Sequence, residues 1–193
     1  MVIHLEYNNK KLALINVYRI PASSQIGLYY SLTQYNLADK KVKSLSEYRK
    51  EILMQIQRYV EQHQEINDII IAGDFNQDIH SNEIQYFFNE IGVWDVHSRH
   101  NGINLNDLNR TNKRGSVLID TIAATEGIIN YVEGCKMLSF EEIVFSDHRL
   151  YVIDVNLEEY FEDTFSSWDK IDKVLLNPSR KSHQEKFCEV IEE

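Results

Sequence analysis

The chain has 193 residues, 43% of them hydrophobic, and carries 20 Lys and Arg against 30 Asp and Glu for a formal net charge of -10. That length and apolar content suit one globular core with an extension, and no apolar run approaches the roughly 20 residues a membrane-spanning helix needs. The first residues lack a basic stretch followed by an apolar one, and Cys135 and Cys188 stand far apart without a CxxC pair or a His cluster. No secretory leader, zinc site, disulfide framework or membrane partner is therefore expected, and a reducing intracellular compartment is.

In chain order, residues 2 to 7 read as a strand that turns at Asn8-Asn9 into a second strand over 11 to 18, which breaks at Pro21. Tyr29, Tyr30 and Tyr35 precede Lys40, Lys41 and Lys43, a mixture compatible with nucleic-acid backbone contact and stacking, or with a plainly solvated loop. Residues 1 to 60 hold a net charge of +5 and the remainder -15, so an anionic substrate is better received by the amino-terminal part. Leu45, Tyr48, Ile52, Ile56 and Tyr59 recur at spacings of three and four, which predicts an amphipathic helix over 44 to 63 capped near Ser44 or Ser46. A strand over 68 to 73 follows, then a short helix over 82 to 91 that stops at Gly92 and buries Ile84, Phe87, Phe88 and Ile91. His97 and His100 are read as surface histidines near a structural stretch at Trp94-Asp95-Val96, and 102 to 114 as a loop. Strands are predicted at 116 to 124, 131 to 138 and 149 to 156. Beyond Leu157 the composition turns acidic, so 1 to 157 is read as the domain and 158 to 193 as a tail or linker.

The chemistry concentrates at strand ends. Gly73-Asp74-Phe75-Asn76 follows the apolar run Ile69-Ile70-Ile71-Ala72, so a carboxylate and a carboxamide are delivered where a buried strand must turn. An ordinary Asx turn uses the same residues, so this segment alone decides little. Two more acids sit in strand-like surroundings: Asp120 in Leu118-Ile119-Asp120-Thr121-Ile122, and Asp147 in Ser146-Asp147-His148-Arg149, just before Leu150-Tyr151-Val152-Ile153. Water attack on a phosphodiester needs a group to hold and deprotonate the water, positive charge against the phosphoryl oxygens, and help for the leaving oxygen. Asp74 suits the first task, with Asn76 either fixing that carboxylate or donating to a phosphate oxygen. His148 needs an acid to set its tautomer, and Asp147 is a hard oxygen ligand for Mg²⁺ or Mn²⁺. Arg19 and Arg114 adjoin these segments and are candidates for phosphate contact. Three acids close together repel one another unless a cation intervenes, so a metal is expected.

Asn16-Val17-Tyr18-Arg19, Gly73-Asp74-Phe75-Asn76, Ile119-Asp120-Thr121-Ile122 and Ser146-Asp147-His148, taken in this order, resemble the later motifs of the endonuclease/exonuclease/phosphatase superfamily over residues 10 to 157. That superfamily includes DNase I, abasic-site endonucleases and the endonuclease domains of non-LTR retrotransposons, and the form of the first motif looks most like the last group. The resemblance implies an α/β fold, a DNase I-like layered sandwich of two mixed sheets flanked by helices. It places Tyr18 against the scissile phosphate and Asp120 as the partner of His148.

The resemblance also carries a departure. Superfamily members begin with a further half domain that supplies an Asn and a metal-binding Glu, and neither motif precedes Asn16; Glu6 lies before a hairpin turn and not at a strand end. The expected fold is thus incomplete at its N-terminus, with one sheet short of strands and with self-association or an upstream segment as its completion. The expected activity is metal-dependent phosphodiester hydrolysis, as an endonuclease on DNA in preference to RNA. The alternatives are an inactive or incomplete remnant that binds without cutting, and a phosphatase or phosphodiesterase on a lipid or inositol phosphate.

Overall fold

The computed structural model describes residues 1–22, 44–102, 110–142 and 146–162. Tyr29, Tyr30, Tyr35, the lysines at 40, 41 and 43, most of the 102 to 114 loop and all of the tail beyond Glu162, with Cys188, lie outside the described residues. The described residues all belong to one compact unit, Met1–Asp163. This unit extends past Leu157 because Tyr160 and Phe161 are buried in its core.

The elements in order are β1 (Val2–Tyr7), β2 (Lys10–Tyr18), α1 (Leu45–Gln62), β3 (Asp68–Asp74), α2 (Asn82–Ile91), β4 (Trp94–Asp95), α3 (Val96–Asn101), β5 (Asp120–Ala124), α4 (Glu126–Ile129), β6 (Val132–Met137), β7 (Tyr151–Val155) and α5 (Leu157–Tyr160). They form a mixed five-stranded sheet in the order β1-β2-β3-β5-β4 and a two-stranded sheet of β6 and β7. β2 and β3 run parallel, joined through α1, while the other pairings are antiparallel. This is the expected layered α/β arrangement, with one sheet short of strands among the described residues.

Strand alternation assigns the two faces of the large sheet. Ala13, Ile15, Val17, Ile69, Ile71 and Ala123 point to the helical side, where they pack with Phe75, Ile84, Phe87 and Phe88. Leu12, Leu14, Ile70, Ile122 and Ala124 point to the other side, toward Ile153, Val155 and Tyr160. α2 is as the periodicity predicts: Ile84, Phe87, Phe88 and Ile91 are its buried residues, and Gly92 ends it in the left-handed conformation at φ 68°. The Ser44 hydroxyl caps α1 by accepting from the Glu47 N–H at 3.2 Å. The predicted stripe of α1 holds in part: Ile56 and Tyr59 pack against the core, but the buried residues of the helix are Arg49 and Leu53, while Tyr48 and Ile52 line an open cavity beside Asn16 and Tyr18.

Strand β5 starts at Asp120 and not at Ser116 as expected. The backbone of Leu118 and Ile119 instead accepts hydrogen bonds from Ile79 (2.9 Å) and Phe75 (2.8 Å), so this stretch closes the turn that follows β3. His97 is corrected as well: it is buried in α3, with Nδ1 2.8 Å from the Asn101 amide, and not on the surface.

Gly73 is where backbone permissiveness is needed. Its φ is 152°, and a Cβ built there would lie 1.8 Å from the Val17 carbonyl oxygen of the neighbouring strand. Gly73→Ala is expected to destabilise the fold by about 3 kcal/mol or more, because the obstructing atom is backbone and cannot step aside. Urea unfolding of the variant measures this directly.

Candidate active site

The register of the large sheet brings the candidate residues into one row. Tyr18 pairs with Asp74 across β2 and β3, and Asp74 pairs with Asp120 across β3 and β5. Residues paired in this way share a face, so the three side chains stand at one rim of the sheet on the side that faces β6 and β7. The next row inward, Asn16, Ala72 and Ile122, lines a largely apolar groove of about 380 Å³ that leads away from that rim. Tyr18 is 65% exposed there.

Asp74 is held on both oxygens by one residue. The Asn76 backbone N–H donates to Oδ1 at 2.8 Å and the Asn76 amide donates to Oδ2 at 2.8 Å, while the same amide nitrogen donates to the Arg19 carbonyl at 2.7 Å. Asn76 adopts φ 46°, a left-handed conformation that Asn tolerates better than most residues. Of its two expected roles, then, fixing Asp74 is the one its contacts serve. Burial pushes the Asp74 carboxyl up; the Asn76 backbone N–H opposes that, and the charge of Asp120 adds to it.

His148 comes from a separate segment and meets Asp120. Its Nδ1 lies 2.9 Å from Oδ2 and 3.1 Å from Oδ1 of that carboxylate. Burial alone lowers the imidazole pKa, but the hydrogen bond and charge of Asp120, with Asp74 and Asp147 behind it, reverse the sign and raise it. Asp74, Asp120 and His148 each offer a ligand atom, and these atoms lie within 4.8 Å of one another. Half-buried oxygens beside an imidazole nitrogen are a donor set that a small hard divalent cation satisfies, and such a charge relieves the repulsion between the paired acids. Asp147 does not join this group. It is exposed, and its backbone carbonyl accepts from the Lys113 N–H at 2.7 Å. Arg114 is exposed too, whereas Glu6 pairs with Lys11 at 3.3 Å in the β1–β2 hairpin.

Arg19 has to be reassigned. It is fully buried, and its guanidinium donates to Gln77 Oε1 at 3.0 Å, to Glu83 Oε1 at 3.4 Å and to the Arg49 carbonyl at 3.2 Å, so it has no access to a substrate phosphate. Arg49 lies beside it and donates to the carbonyls of Ile20 and Asn76 and to Gln77 Oε1. The two guanidiniums thus brace residues 76 and 77 from below, and they share Gln77 as acceptor. Burial and the charge of Arg49 push Arg19 down to about 10, which leaves it protonated at neutral pH. Arg49 is a residue that sequence reasoning missed, since a cation in the middle of an amphipathic helix reads as solvent-facing. Thr111 and Asn112, which contact Asp120 and His148, were hidden in what reads as a loop.

Arg19→Met is expected to lower stability by about 2–4 kcal/mol and to loosen the turn under Asp74, because Gln77, Glu83 and the Arg49 carbonyl lose a buried donor; thermal melts together with amide exchange at residues 75 to 77 check both. A second prediction concerns pH. The raised pKa of His148 means that its charged form is favoured by folding, so its contribution is complete below the ordinary histidine value and fades as pH rises through the higher folded value. The stability gap between the parent chain and His148→Ala should therefore be larger at pH 6 than at pH 9 in urea titrations.

No protein-family model and no curated protein sequence matches the chain. Among solved structures it is similar to the 3' phosphatase NExo from Neisseria bound to a product DNA hairpin, with a TM-score of 0.54 at 14% identity over 80% of this chain and 64% of that one. The 3'-5' exonuclease NExo from Neisseria meningitidis gives a TM-score of 0.53 at 15% identity, over 80% and 64% of the two chains. The AP endonuclease LMAP from Leishmania major gives 0.52 at 13% identity, over 79% and 53%. The chain thus spans between about half and two thirds of the length of these proteins. With its two sheets, their flanking helices and these neighbours, the chain has the endonuclease/exonuclease/phosphatase fold.

Proposed function

We propose that this chain hydrolyses phosphodiesters with the help of a divalent cation, acting as an endonuclease on DNA. The observation that carries the reading is the convergence, at one strand-end rim, of Asp74 held on both oxygens by Asn76 and of the Asp120–His148 pair. That three solved structures of the same fold, two of them of NExo, are named as an AP endonuclease, a 3'-5' exonuclease and a 3' phosphatase bound to a DNA hairpin supports nucleic acid over a lipid or inositol ester. Kinship with transposon-type endonucleases belongs to the same proposal.

Mg²⁺ or Mn²⁺, held by the carboxylates of Asp74 and Asp120 with Asp147 reaching it through water, would supply positive charge against the phosphoryl oxygens. Asp74 holds the attacking water and takes its proton, and Asn76 fixes the direction of its lone pairs. Asp120 orients the imidazole of His148 and balances its charge. Tyr18, exposed in the same row, donates its phenol hydrogen to a phosphoryl oxygen, and Arg114 reaches a neighbouring phosphate along the strand. The net charge of -10 keeps affinity for DNA low without a cation and favours release of the cut strand.

Supercoiled plasmid incubated with the pure chain and Mg²⁺ should be nicked, and chelation should stop it. Asp74→Ala and His148→Ala should each slow nicking by about a hundredfold or more. Unaltered nicking in the double variant would remove the assignment. A panel of plasmid, abasic oligonucleotide, RNA and a soluble phosphodiester ranks the substrates.

A further inference from the structure

Thr111 and Asn112 do more than link two elements. Thr111 is fully buried, and its Oγ1 accepts from the backbone N–H groups of Ile119 (2.9 Å) and Asp120 (3.1 Å), which fixes the backbone that carries the Asp120 carboxylate. Asn112 forms an isolated antiparallel bridge with His148. Flanking it, Lys113 N–H donates to the Asp147 carbonyl and Arg149 N–H to the Thr111 carbonyl, both at 2.7 Å. The bridge seats the two side chains against each other, and the Asn112 amide nitrogen lies 2.8 Å from His148 Nε2.

The polarity of that contact follows from chemistry. An amide nitrogen carries two hydrogens and accepts none, so the ring nitrogen it touches must present its lone pair. The end of the amide facing His148 is settled independently, because Oδ1 of Asn112 accepts from the Arg114 N–H at 2.8 Å. With Nε2 an acceptor, the ring hydrogen resides on Nδ1, where Asp120 receives it at 2.9 Å. Both nitrogens are therefore spoken for by groups of opposite polarity.

From this geometry we infer that Asn112 is a positioning residue: together with Asp120 it clamps His148 in one ring plane and one tautomer, with the Nε2 lone pair held by the Asn112 amide. The catalytic consequence rests on the phosphodiesterase reading. A group that takes the place of the Asn112 amide at Nε2 must bring either a hydrogen or a positive charge, so water, a sugar hydroxyl or a cation fits there, and a bare phosphoryl oxygen does not. His148 is thus set to receive a hydrogen bond from the nucleophile or from a hydroxyl-bearing end.

Asn112→Asp is the informative change, because it keeps the size of the side chain and an oxygen for the Arg114 N–H while replacing the donor to Nε2 with an acceptor. Nitrogen-15 spectra of the metal-free, histidine-labelled chain in mildly alkaline buffer should show His148 with a bare Nε2 and a protonated Nδ1, and Asn112→Asp, which sets a carboxylate at each ring nitrogen, should add a hydrogen at Nε2 while Nδ1 keeps its own. A protonated Nε2 in the parent chain, or identical spectra for the two proteins, overturns the inference whatever the activity. In the plasmid assay Asn112→Asp and Asn112→Ala should lower kcat about 10- to 100-fold with KM within about twofold, and neither should lower it further in a His148→Ala background. A purely structural role would instead give losses that add to those of His148→Ala, which also overturns it. Should the spectra show the expected tautomer while no phosphodiester is cleaved, the clamp stands and the nuclease reading is what fails.

Discussion

Two carboxylates face each other across neighbouring strands, Asp74 on β3 and Asp120 on β5, and the architecture of the rim follows from that pairing. Like charges directly opposite in a sheet are destabilising, and partial burial makes the pairing worse. Each acid is accordingly given its own neutralising arrangement: Asn76 wraps Asp74 with two donors, and His148 sets its imidazole against Asp120. Asp74, Asp120 and His148 still present one ligand atom each within 4.8 Å of one another, and this is the physical case for a cation.

The scaffold serves the same end. Gly73 lets β3 pass against the Val17 carbonyl just before Asp74, and the chain then turns over Phe75, which is buried against Phe88 at 5.6 Å in an edge-to-face contact. Arg19 and Arg49 hold that turn from the helical side, both donating to Gln77 and Arg49 also to the Asn76 carbonyl. On the far side of the sheet, Thr111 secures the backbone of Asp120 and Asn112 meets His148. The geometry of the rim therefore depends on buried supports, Arg19 and Arg49 on one side and Thr111 on the other, of which only Arg19 belongs to a motif.

The parts of this arrangement legible in the sequence are those with a local signature. Asp74, Asn76, Asp120 and His148 stand out because polar residues end or interrupt apolar runs, and α2 because Ile84, Phe87, Phe88 and Ile91 keep helical spacing up to Gly92. The parts that were not legible depend on partners distant in the chain. Arg19 beside a motif reads as a phosphate contact, and only the approach of Gln77 and Glu83 shows it to be a buried brace. Residues 116 to 119 have strand-like composition, yet the Leu118 and Ile119 carbonyls accept from the turn at 75 to 79 and the Ile119 N–H donates to Thr111, not to a strand. Asn112 carries no signal at all within a polar loop, since its meaning lies in a bridge to a residue 36 positions away.

The central claim is that one divalent ion is held by the carboxylates of Asp74 and Asp120, beside His148. Paramagnetic broadening by substoichiometric Mn²⁺ in spectra of the nitrogen-15-labelled chain tests it most directly, since the effect falls off steeply with distance from the ion. The account predicts that the amides of Gly73, Asp74, Asp120 and His148 broaden first and are spared when Asp74 and Asp120 are both changed to Asn. Earliest broadening at the acidic residues of α5, or an even effect over the surface, would contradict it.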